Sequence, residues 1–400
     1  MARLSRLDVA AKAGVEATYV DRLMDLGLIT PEGNAFSSGD VLRAGWIRSL
    51  ERSGLSVDDM AAAVRDGTLS FRYLDASAFD RFGSLTTTTV RQLSVDKRLP
   101  MPLLSVIREA LGLPEPDPED LVREDELAVA EVVSFQLAHG HRAEVIERSL
   151  RVYGDALRRI AETETDAYRS EVVEPLLETG MTQGEMLDAQ AVFGSHMGPL
   201  IERALLAIYH RQQERSWTRV WLDSVESALE EAGLHSRLHS PPAVSFLDLT
   251  GYTQVTEQQG DEAAAAVAAR MRTLVRQTAL EHRGDYVKFL GDGVMLYFSN
   301  PTDSVRAALA MVEGAEEDAL PSARVGIHAG PVVFQEGDYF GRTVNIAARL
   351  ADYARPSEVL VTKAVVDSIS DEEFTFTRIG PVTLKGVAQP VEVLAAYPLA

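Results

Sequence analysis

The sequence contains no cysteine, few lysines and no long apolar run. Because none of its 400 residues is Cys, disulfides and Cys-ligated metal sites are excluded. No segment approaches the ~18 consecutive apolar residues that a membrane helix needs. The amino-terminal segment also lacks the apolar core of a signal peptide. These absences predict a cytoplasmic protein without a membrane span.

Positive charge is also scarce. The formal net charge is −21, which repels nucleic acid, anionic membranes and free nucleotides in general. Any ligand that carries phosphate would therefore need a local positive site or metal ions. The lysines are Lys12, Lys97, Lys288, Lys363 and Lys385.

Hydrophobic patterning predicts an all-α amino-terminal region. Residues 1–80 show short helical patterns, and residues 81–203 show longer amphipathic runs. Residues 204–240 read as a linker helix that ends before two consecutive prolines. Its apolar stripe is typical either of packing within one domain or of a dimer-forming or signal-transmitting helix. The stripe comprises Trp217, Trp221, Val225, Ala228 and Ala232.

Residues 241–400 change to an irregular alternation of strands and helices, which predicts an α+β domain. Residues 243–249 read as a buried strand. The runs 285–290 and 294–299 flank a Gly-Asp-Gly turn and predict a hairpin. The runs 323–328 and 331–335 predict a further strand pair.

Two carboxylates stand at predicted strand ends. Asp248 follows an apolar strand and precedes a glycine-containing turn into a helix, and Asp292 lies at the hairpin tip. Such carboxylates suit divalent cations that bind phosphate. Each motif alone is equally typical of a helix cap or a simple turn.

Four polar residues between positions 288 and 385 suit nucleotide binding. Lys288 lies within an apolar strand, where an ammonium group needs a partner unless the strand is at a sheet edge. Asn345 and Arg349 are four residues apart, on one face of a predicted helix. That pair fits ribose positioning and charge neutralisation at a phosphate, or simply a solvated helix face. Lys385 lies between two carboxy-terminal strands, where it fits either a phosphate contact or solvent exposure.

Four segments in this order resemble the catalytic domain of class III nucleotidyl cyclases. They are FLDLTGYT (246–253), KFLGDGVM (288–295), DYFGRTVNIAARL (338–350) and VTLKGV (382–387). The resemblance covers 244–397 and implies a ferredoxin-like α+β catalytic domain. It also implies an adenylate cyclase that makes cyclic AMP and pyrophosphate from ATP.

The resemblance implies a role for each matching residue. Asp248 and Asp292, with the Leu249 carbonyl nearby, would bind two divalent cations, Mg²⁺ or Mn²⁺. Lys288 and Asp338 would recognise the adenine base. The lysine would donate a hydrogen bond to a ring nitrogen, and the carboxylate would accept one from the exocyclic amine.

The remaining roles concern the ribose and the phosphates. Asn345 would orient the ribose, Arg349 would stabilise charge on the α-phosphate, and Lys385 would hold the leaving pyrophosphate. The resemblance places the metal aspartates and the Asn–Arg pair of one site on different subunits, which implies a homodimer. A guanylate cyclase remains an alternative.

Residues 7–65 resemble the helix-turn-helix of MerR-type regulators, so residues 1–80 are assigned to such a module. Residues 1–65 carry eight Lys or Arg and nine Asp or Glu. This balance disfavours DNA binding. The middle region resembles the regulatory regions of soluble actinobacterial cyclases, which implies sensing of a small molecule or of pH. A DNA-binding regulator with a nucleotide-sensing cyclase-like domain is the other alternative.

Overall fold

A computed structural model describes residues 4–31, 33, 35–75, 83–234, 241–369 and 373–399. The chain forms two compact units, Met1–Ser224 and Val225–Ala400.

The first half of unit one consists of short helices around one hydrophobic core. The α1 and α2 helices are joined by a three-residue turn that begins at Gly14, which has a left-handed φ of 66°. Val9, Val20, Leu23 and Ile47 are fully buried in this core. The helices are α1 (Arg6–Ala13), α2 (Ala17–Asp25), α3 (Ser38–Arg52), α4 (Val57–Arg65) and a 3₁₀ turn (Arg72–Asp75).

The second half of unit one has longer helices and its own core. Leu99, Leu103, Ile107 and Val122 are among its buried residues. The elements are α5 (Val90–Lys97), α6 (Met101–Ala110), α7 (Glu124–Ala138), α8 (Ala143–Tyr168), a π-helical turn (Arg169–Val173), α9 (Glu174–Glu178) and α10 (Gln183–Glu231). The helical character predicted for this region is confirmed.

This region is not purely α-helical, however. Strands β1 (Leu85–Thr89) and β2 (Leu121–Arg123) pair antiparallel. The run of four threonines in β1 explains the strand, because β-branched side chains favour extended backbone. An all-α assignment for residues 81–203 overlooked this local propensity.

Helix α10 passes through the predicted boundary between residues 203 and 204 without interruption. Along it, Trp217, Trp221 and Val225 are 54%, 62% and 56% exposed. The apolar stripe is therefore not packed within its own domain. No described helix is both long and apolar enough to cross a membrane. The cytoplasmic location stays a prediction.

Unit two contains a seven-stranded mixed sheet with helices on both faces. Its strands are β3 (Ala243–Leu249), β4 (Asp285–Leu290), β5 (Gly293–Phe298), β6 (Ala323–Ala329), β9 (Val359–Thr362), β10 (Phe374–Val382) and β11 (Val391–Pro398). Its helices are α11 (Tyr252–Gln259), α12 (Asp261–Glu281), α13 (Pro301–Glu317), α14 (Arg342–Tyr353) and α15 (Lys363–Val366). This mixed sheet confirms the predicted class of fold.

The strand order is β10-β11-β9-β6-β3-β5-β4. All neighbours are antiparallel except β6 and β9, which are parallel. The predicted hairpin forms from β4 and β5. The predicted pairing of 323–328 with 331–335 is wrong: β7 (Val333–Gln335) pairs with β8 (Asp338–Phe340) in a separate small sheet. Pro331 explains the break, since proline has no amide hydrogen for a continuing ladder.

The two faces of the large sheet have different environments. Leu247 and Leu249 point to the face that packs on α12 and α13, whereas Val244 lies on the opposite face with Ala347 of α14. Gly326 permits the close approach of α14, because a Cβ there would come within 2.1 Å of the Ala351 nitrogen. Asp248 shares the face of Val244, since alternate residues of a strand share a face.

Candidate active site

Asp248 and Asp292 lie side by side at the ends of neighbouring strands. Asp248 is opposite Gly293 in the β3–β5 ladder, and Asp292 immediately precedes Gly293. The Leu249 amide donates a hydrogen bond of 3.2 Å to the Asp292 carbonyl. Burial and the neighbouring charge of Asp292 both raise the pKa of the Asp248 carboxyl. The structure thus brings together the three residues that the sequence nominated for metal binding.

Arg324 is a member of this site that sequence reasoning missed. It is opposite Asp248 in the β3–β6 ladder and donates to Asp248 Oδ2 from Nη2 at 2.5 Å and from Nε at 2.9 Å. The pair is 76 residues apart in sequence. The sequence signal that could have indicated this role is a charged residue, Arg324, at the start of the otherwise mostly apolar strand β6.

The donor set at this edge fits a hard divalent cation. Both side chains present carboxylate oxygens, which Mg²⁺ prefers, and Mg²⁺ is often held by one or two carboxylates plus substrate phosphates. Within the described ranges there is no cluster of three or more His, Cys, Asp or Glu that could hold a metal alone. Asp248 and Asp292 therefore fit a metal site that a phosphate-bearing substrate completes.

Lys288 and Asp338 are in direct contact. Lys288 lies on β4, at the edge of the large sheet, and its Nζ donates to Asp338 Oδ2. The Tyr339 amide donates to Asp338 Oδ1 at 2.8 Å. Lys288 is thus an edge-strand lysine with a specific partner, 50 residues away in sequence. This juxtaposition offers one cationic donor and one anionic acceptor to a planar ligand.

Asn345 and Arg349 are both exposed on α14. The opposite side of the helix buries Ile346, Ala347 and Leu350 against the sheet. This burial orients the Asn–Arg face of the helix away from the sheet.

The carboxy-terminal end of α14 adjoins the aspartates. Arg349 Nη1 donates to Asp352 Oδ2 at 3.0 Å, and Arg324 Nη1 donates to the Asp352 carbonyl at 3.0 Å. The charge of Asp352 contributes to the raised pKa of Asp248. Asp352 thus links the end of α14 to Asp248, while Arg349 contacts only the carboxylate of Asp352 in this set.

Lys385 occupies the loop between β10 and β11 and is exposed. The adjacent Leu384 is buried and anchors this loop. Among the residues that the structure describes, Lys385 has no ion-pair or hydrogen-bond partner. The structure therefore does not connect it with the other nominated residues.

Comparisons with known proteins find two matching domain families. Residues 235–397 match the family described as adenylate and guanylate cyclase catalytic domain. Residues 20–213 match the adenylate cyclase regulatory domain.

Relatives match beyond the catalytic domain. A pH-sensitive adenylate cyclase of Mycobacterium tuberculosis is 27% identical over 390 residues, which span 94% of this chain and 91% of that protein. An adenylate cyclase of Streptomyces coelicolor is 31% identical over 234 residues, 58% of this chain and 57% of that protein. The crystal structure of adenylyl cyclase CyaB from P. aeruginosa is similar to 40% of this chain and 95% of its own, with 24% identity and a TM-score of 0.36. The chain thus joins a cyclase catalytic domain to an adenylate cyclase regulatory domain.

Proposed function

We propose that this chain, an adenylate cyclase with an amino-terminal regulatory domain, converts ATP to 3′,5′-cyclic AMP and pyrophosphate. The observation that carries the proposal is the adjacency of Asp248 and Asp292 at the ends of β3 and β5. The ribose 3′-oxygen attacks the α-phosphorus, and the bond to the pyrophosphate oxygen breaks. The proton of the 3′-hydroxyl leaves to solvent.

Asp248, Asp292 and the Leu249 carbonyl would hold two divalent cations, Mg²⁺ or Mn²⁺, against the triphosphate. When bound, the cations lower the pKa of the 3′-hydroxyl and neutralise developing charge. The raised pKa of Asp248 supports this role. Burial and a neighbouring carboxylate disfavour the ionised form of Asp248, and a bound cation would stabilise that ionised form. The neighbouring Arg324 limits the cost of that burial.

Lys288 and Asp338 would select adenine. The ammonium group donates to a ring nitrogen, and the carboxylate accepts from the exocyclic amine. Guanine carries a carbonyl where adenine carries that amine, so Asp338 would face an acceptor. Their mutual contact supports this assignment because it places donor and acceptor within reach of one base.

Asn345 and Arg349 would act on a nucleotide held by a second copy of the chain. Their exposure supports this proposal, because exposed side chains are available to a partner. Asn345 orients the ribose, and Arg349 stabilises negative charge at the α-phosphate. Lys385, which is exposed, would hold the leaving pyrophosphate. A homodimer would contain two equivalent sites.

An assay of the purified full chain with ATP or GTP and Mg²⁺ or Mn²⁺ tests the reaction. We expect cyclic AMP formation and a strong preference for ATP. Asp248→Asn should lower turnover by at least about a hundredfold. The matched control is Asp367→Asn, which removes an exposed carboxylate paired with Lys363. Preference for GTP would indicate a guanylate cyclase, and binding without turnover would indicate a nucleotide sensor.

We propose that residues 20–213 regulate this activity in response to pH or a small molecule. The match to a regulatory domain and the name of the mycobacterial relative support the proposal. His139 and His196 are exposed, and the Nδ1 of each is hydrogen-bonded to a carbonyl one turn earlier. His235 and His239 lie outside the described residues. The pH profiles of the full chain and of residues 225–400 should differ; identical profiles would remove this idea.

The amino-terminal module would have a structural or regulatory role rather than a DNA-binding one. Helices α1 and α2 are joined by a three-residue turn, and the helix-turn-helix assignment stays a prediction. Its arginines are partly neutralised: Arg22 pairs with Glu51 and Asp58, and Arg6 pairs with Asp21. Salt-sensitive binding to duplex DNA would contradict this role.

A further inference from the structure

The β7–β8 hairpin that carries Asp338 is a small element. Each strand has three residues, and all of β7 is exposed. Its two turn residues, Glu336 and Gly337, both have left-handed φ angles, 55° and 76°, which is typical of a type I′ turn. An isolated two-stranded hairpin is marginal in water. The position of Asp338 must therefore depend on contacts with the large sheet.

Two of the side-chain contacts that attach this hairpin to the sheet involve residues of β8. One is the ion pair between Lys288 and Asp338. The other is a parallel stack between Tyr339 of β8 and Tyr297 of β5, with ring centroids 4.3 Å apart and an interplanar angle of 4°. Phe334 of β7 also contacts Tyr339, with ring centroids 4.9 Å apart and an interplanar angle of 55°.

The ion pair is a poor permanent anchor. Under the proposed function, the same ammonium and carboxylate groups must form hydrogen bonds with the purine. Base binding therefore competes with their mutual contact. Base binding does not compete with the aromatic stack, since neither ring belongs to Lys288 or Asp338.

Tyr339 also links the stack to the carboxylate. Its amide donates to Asp338 Oδ1 at 2.8 Å, so the residue that docks on Tyr297 also orients the carboxylate. Tyr339 further packs against the small core of Val244, Met295 and Ala347. A shift of the Tyr339 ring would consequently move the acceptor that faces the base.

We infer that Tyr297 is a positioning residue for base selection: its ring holds Tyr339, and thereby the β7–β8 hairpin, so that Asp338 stays aimed at the purine. This inference rests on the proposed function. Tyr297 is not among the residues proposed above to contact the base, the phosphates or the cations. Its loss should weaken recognition of adenine without removing the groups that act on the phosphates.

The test compares Tyr297→Ala and Tyr297→Phe in the full chain. Affinity is measured by equilibrium dialysis with 3′-deoxy-ATP and 3′-deoxy-GTP, which cannot cyclise, and KM and kcat are measured with ATP. Tyr297→Ala should weaken 3′-deoxy-ATP binding and raise KM by about five- to tenfold. It should leave kcat and 3′-deoxy-GTP binding within about twofold. Tyr297→Phe, which keeps the stack, should resemble the natural chain.

The matched control is Phe376→Ala, on β10 at the opposite edge of the sheet, where Phe376 contacts Phe374 in an edge-on pair. It should lower Tm but leave both affinities unchanged. If Tyr297→Ala does not fold, Tyr297→Leu keeps apolar bulk without stacking and should give the same loss for 3′-deoxy-ATP.

Three results would overturn the inference. Tyr297→Ala could leave the affinity for 3′-deoxy-ATP unchanged, Tyr297→Ala could weaken the binding of both analogues equally, or Tyr297→Phe could lose the preference for 3′-deoxy-ATP. If the natural chain neither binds 3′-deoxy-ATP nor turns over ATP, the proposed function itself fails, and the inference with it.

Discussion

Arg324 and Asp248 form a cross-strand ion pair between two central strands of the catalytic sheet. The guanidinium contacts Asp248 Oδ2 through two nitrogens and also donates to the carbonyl of Asp352. It therefore joins a nominated metal ligand to the end of α14, the helix that carries Asn345 and Arg349. Both partners are mostly shielded from solvent, with side-chain exposures of 24% and 29%.

Arg324→Ala should destabilise the catalytic unit by about 1–3 kcal/mol, because it leaves a half-buried carboxylate without its charge partner. The double variant Arg324→Ala/Asp248→Ala should recover part of this loss, since neither charge remains unpaired. Urea unfolding of the four proteins of this cycle measures the coupling. Strictly additive losses would show that the two side chains do not interact in the folded protein.

Asp292→Asn should reduce activity while stabilising the protein. The charge of Asp292 raises the pKa of Asp248, so removing it relieves repulsion and keeps the Arg324 pair intact. We expect Tm in metal-free buffer to rise by about 1–3 °C. Turnover should fall by at least about a hundredfold.

Asp367→Asn serves again as the control for Asp292→Asn. Asp367→Asn should change neither Tm nor turnover appreciably, because exposed ion pairs contribute little to stability. A lower Tm for Asp292→Asn would argue against repulsion between the two aspartates.

His328 should make the catalytic unit sensitive to acid. Burial, together with the charge of Arg342, lowers its pKa to about 4, and its Nδ1 lies 2.7 Å from Thr362 Oγ1. Between pH ~6.5 and the folded-state pKa, the unfolded chain binds a proton that the folded chain does not. Stability should therefore fall on acidification through this window, by about 1.4 kcal/mol per pH unit and about 3 kcal/mol in total.

The matched variant is His328→Asn, which keeps a polar group near Thr362 but does not titrate. Urea unfolding at several pH values between 7.5 and 4.5 should show a shallower pH dependence for His328→Asn than for the natural chain. Parallel curves for the two proteins would mean that His328 titrates normally in the folded state.

The sequence predicted the local elements of the catalytic unit better than its long-range contacts. The strands 243–249 and 285–290 have the bounds predicted from their apolar runs. The first of them is buried, and a buried strand leaves a direct hydrophobic pattern. The pairing of β7 with β8 was not predicted, since periodicity gives no partner. The partnership of Arg324 with Asp248 depends on strand order, which the spacing of residues does not reveal.

The solvent exposure of individual side chains was as hard to predict from the sequence as the long-range contacts. The stripe around Trp217 has regular helical spacing, which indicates an apolar face but not what covers it. Likewise, the sequence left open whether Asn345 and Lys385 contact a ligand or face solvent, and the fold shows that both are exposed. Their catalytic roles remain predictions.

Under the proposed function, each active site combines Asp248 and Asp292 of one copy with Asn345 and Arg349 of another. The most direct measurement mixes two variants, Asp248→Asn and Asn345→Ala, and follows cyclic AMP formation from ATP. Each variant alone should be nearly inactive. Refolded or coexpressed together at equal amounts, they should recover roughly a quarter of natural activity, because half the dimers would be mixed and each would hold one intact site. A mixture as inactive as its components would contradict a site shared between two copies.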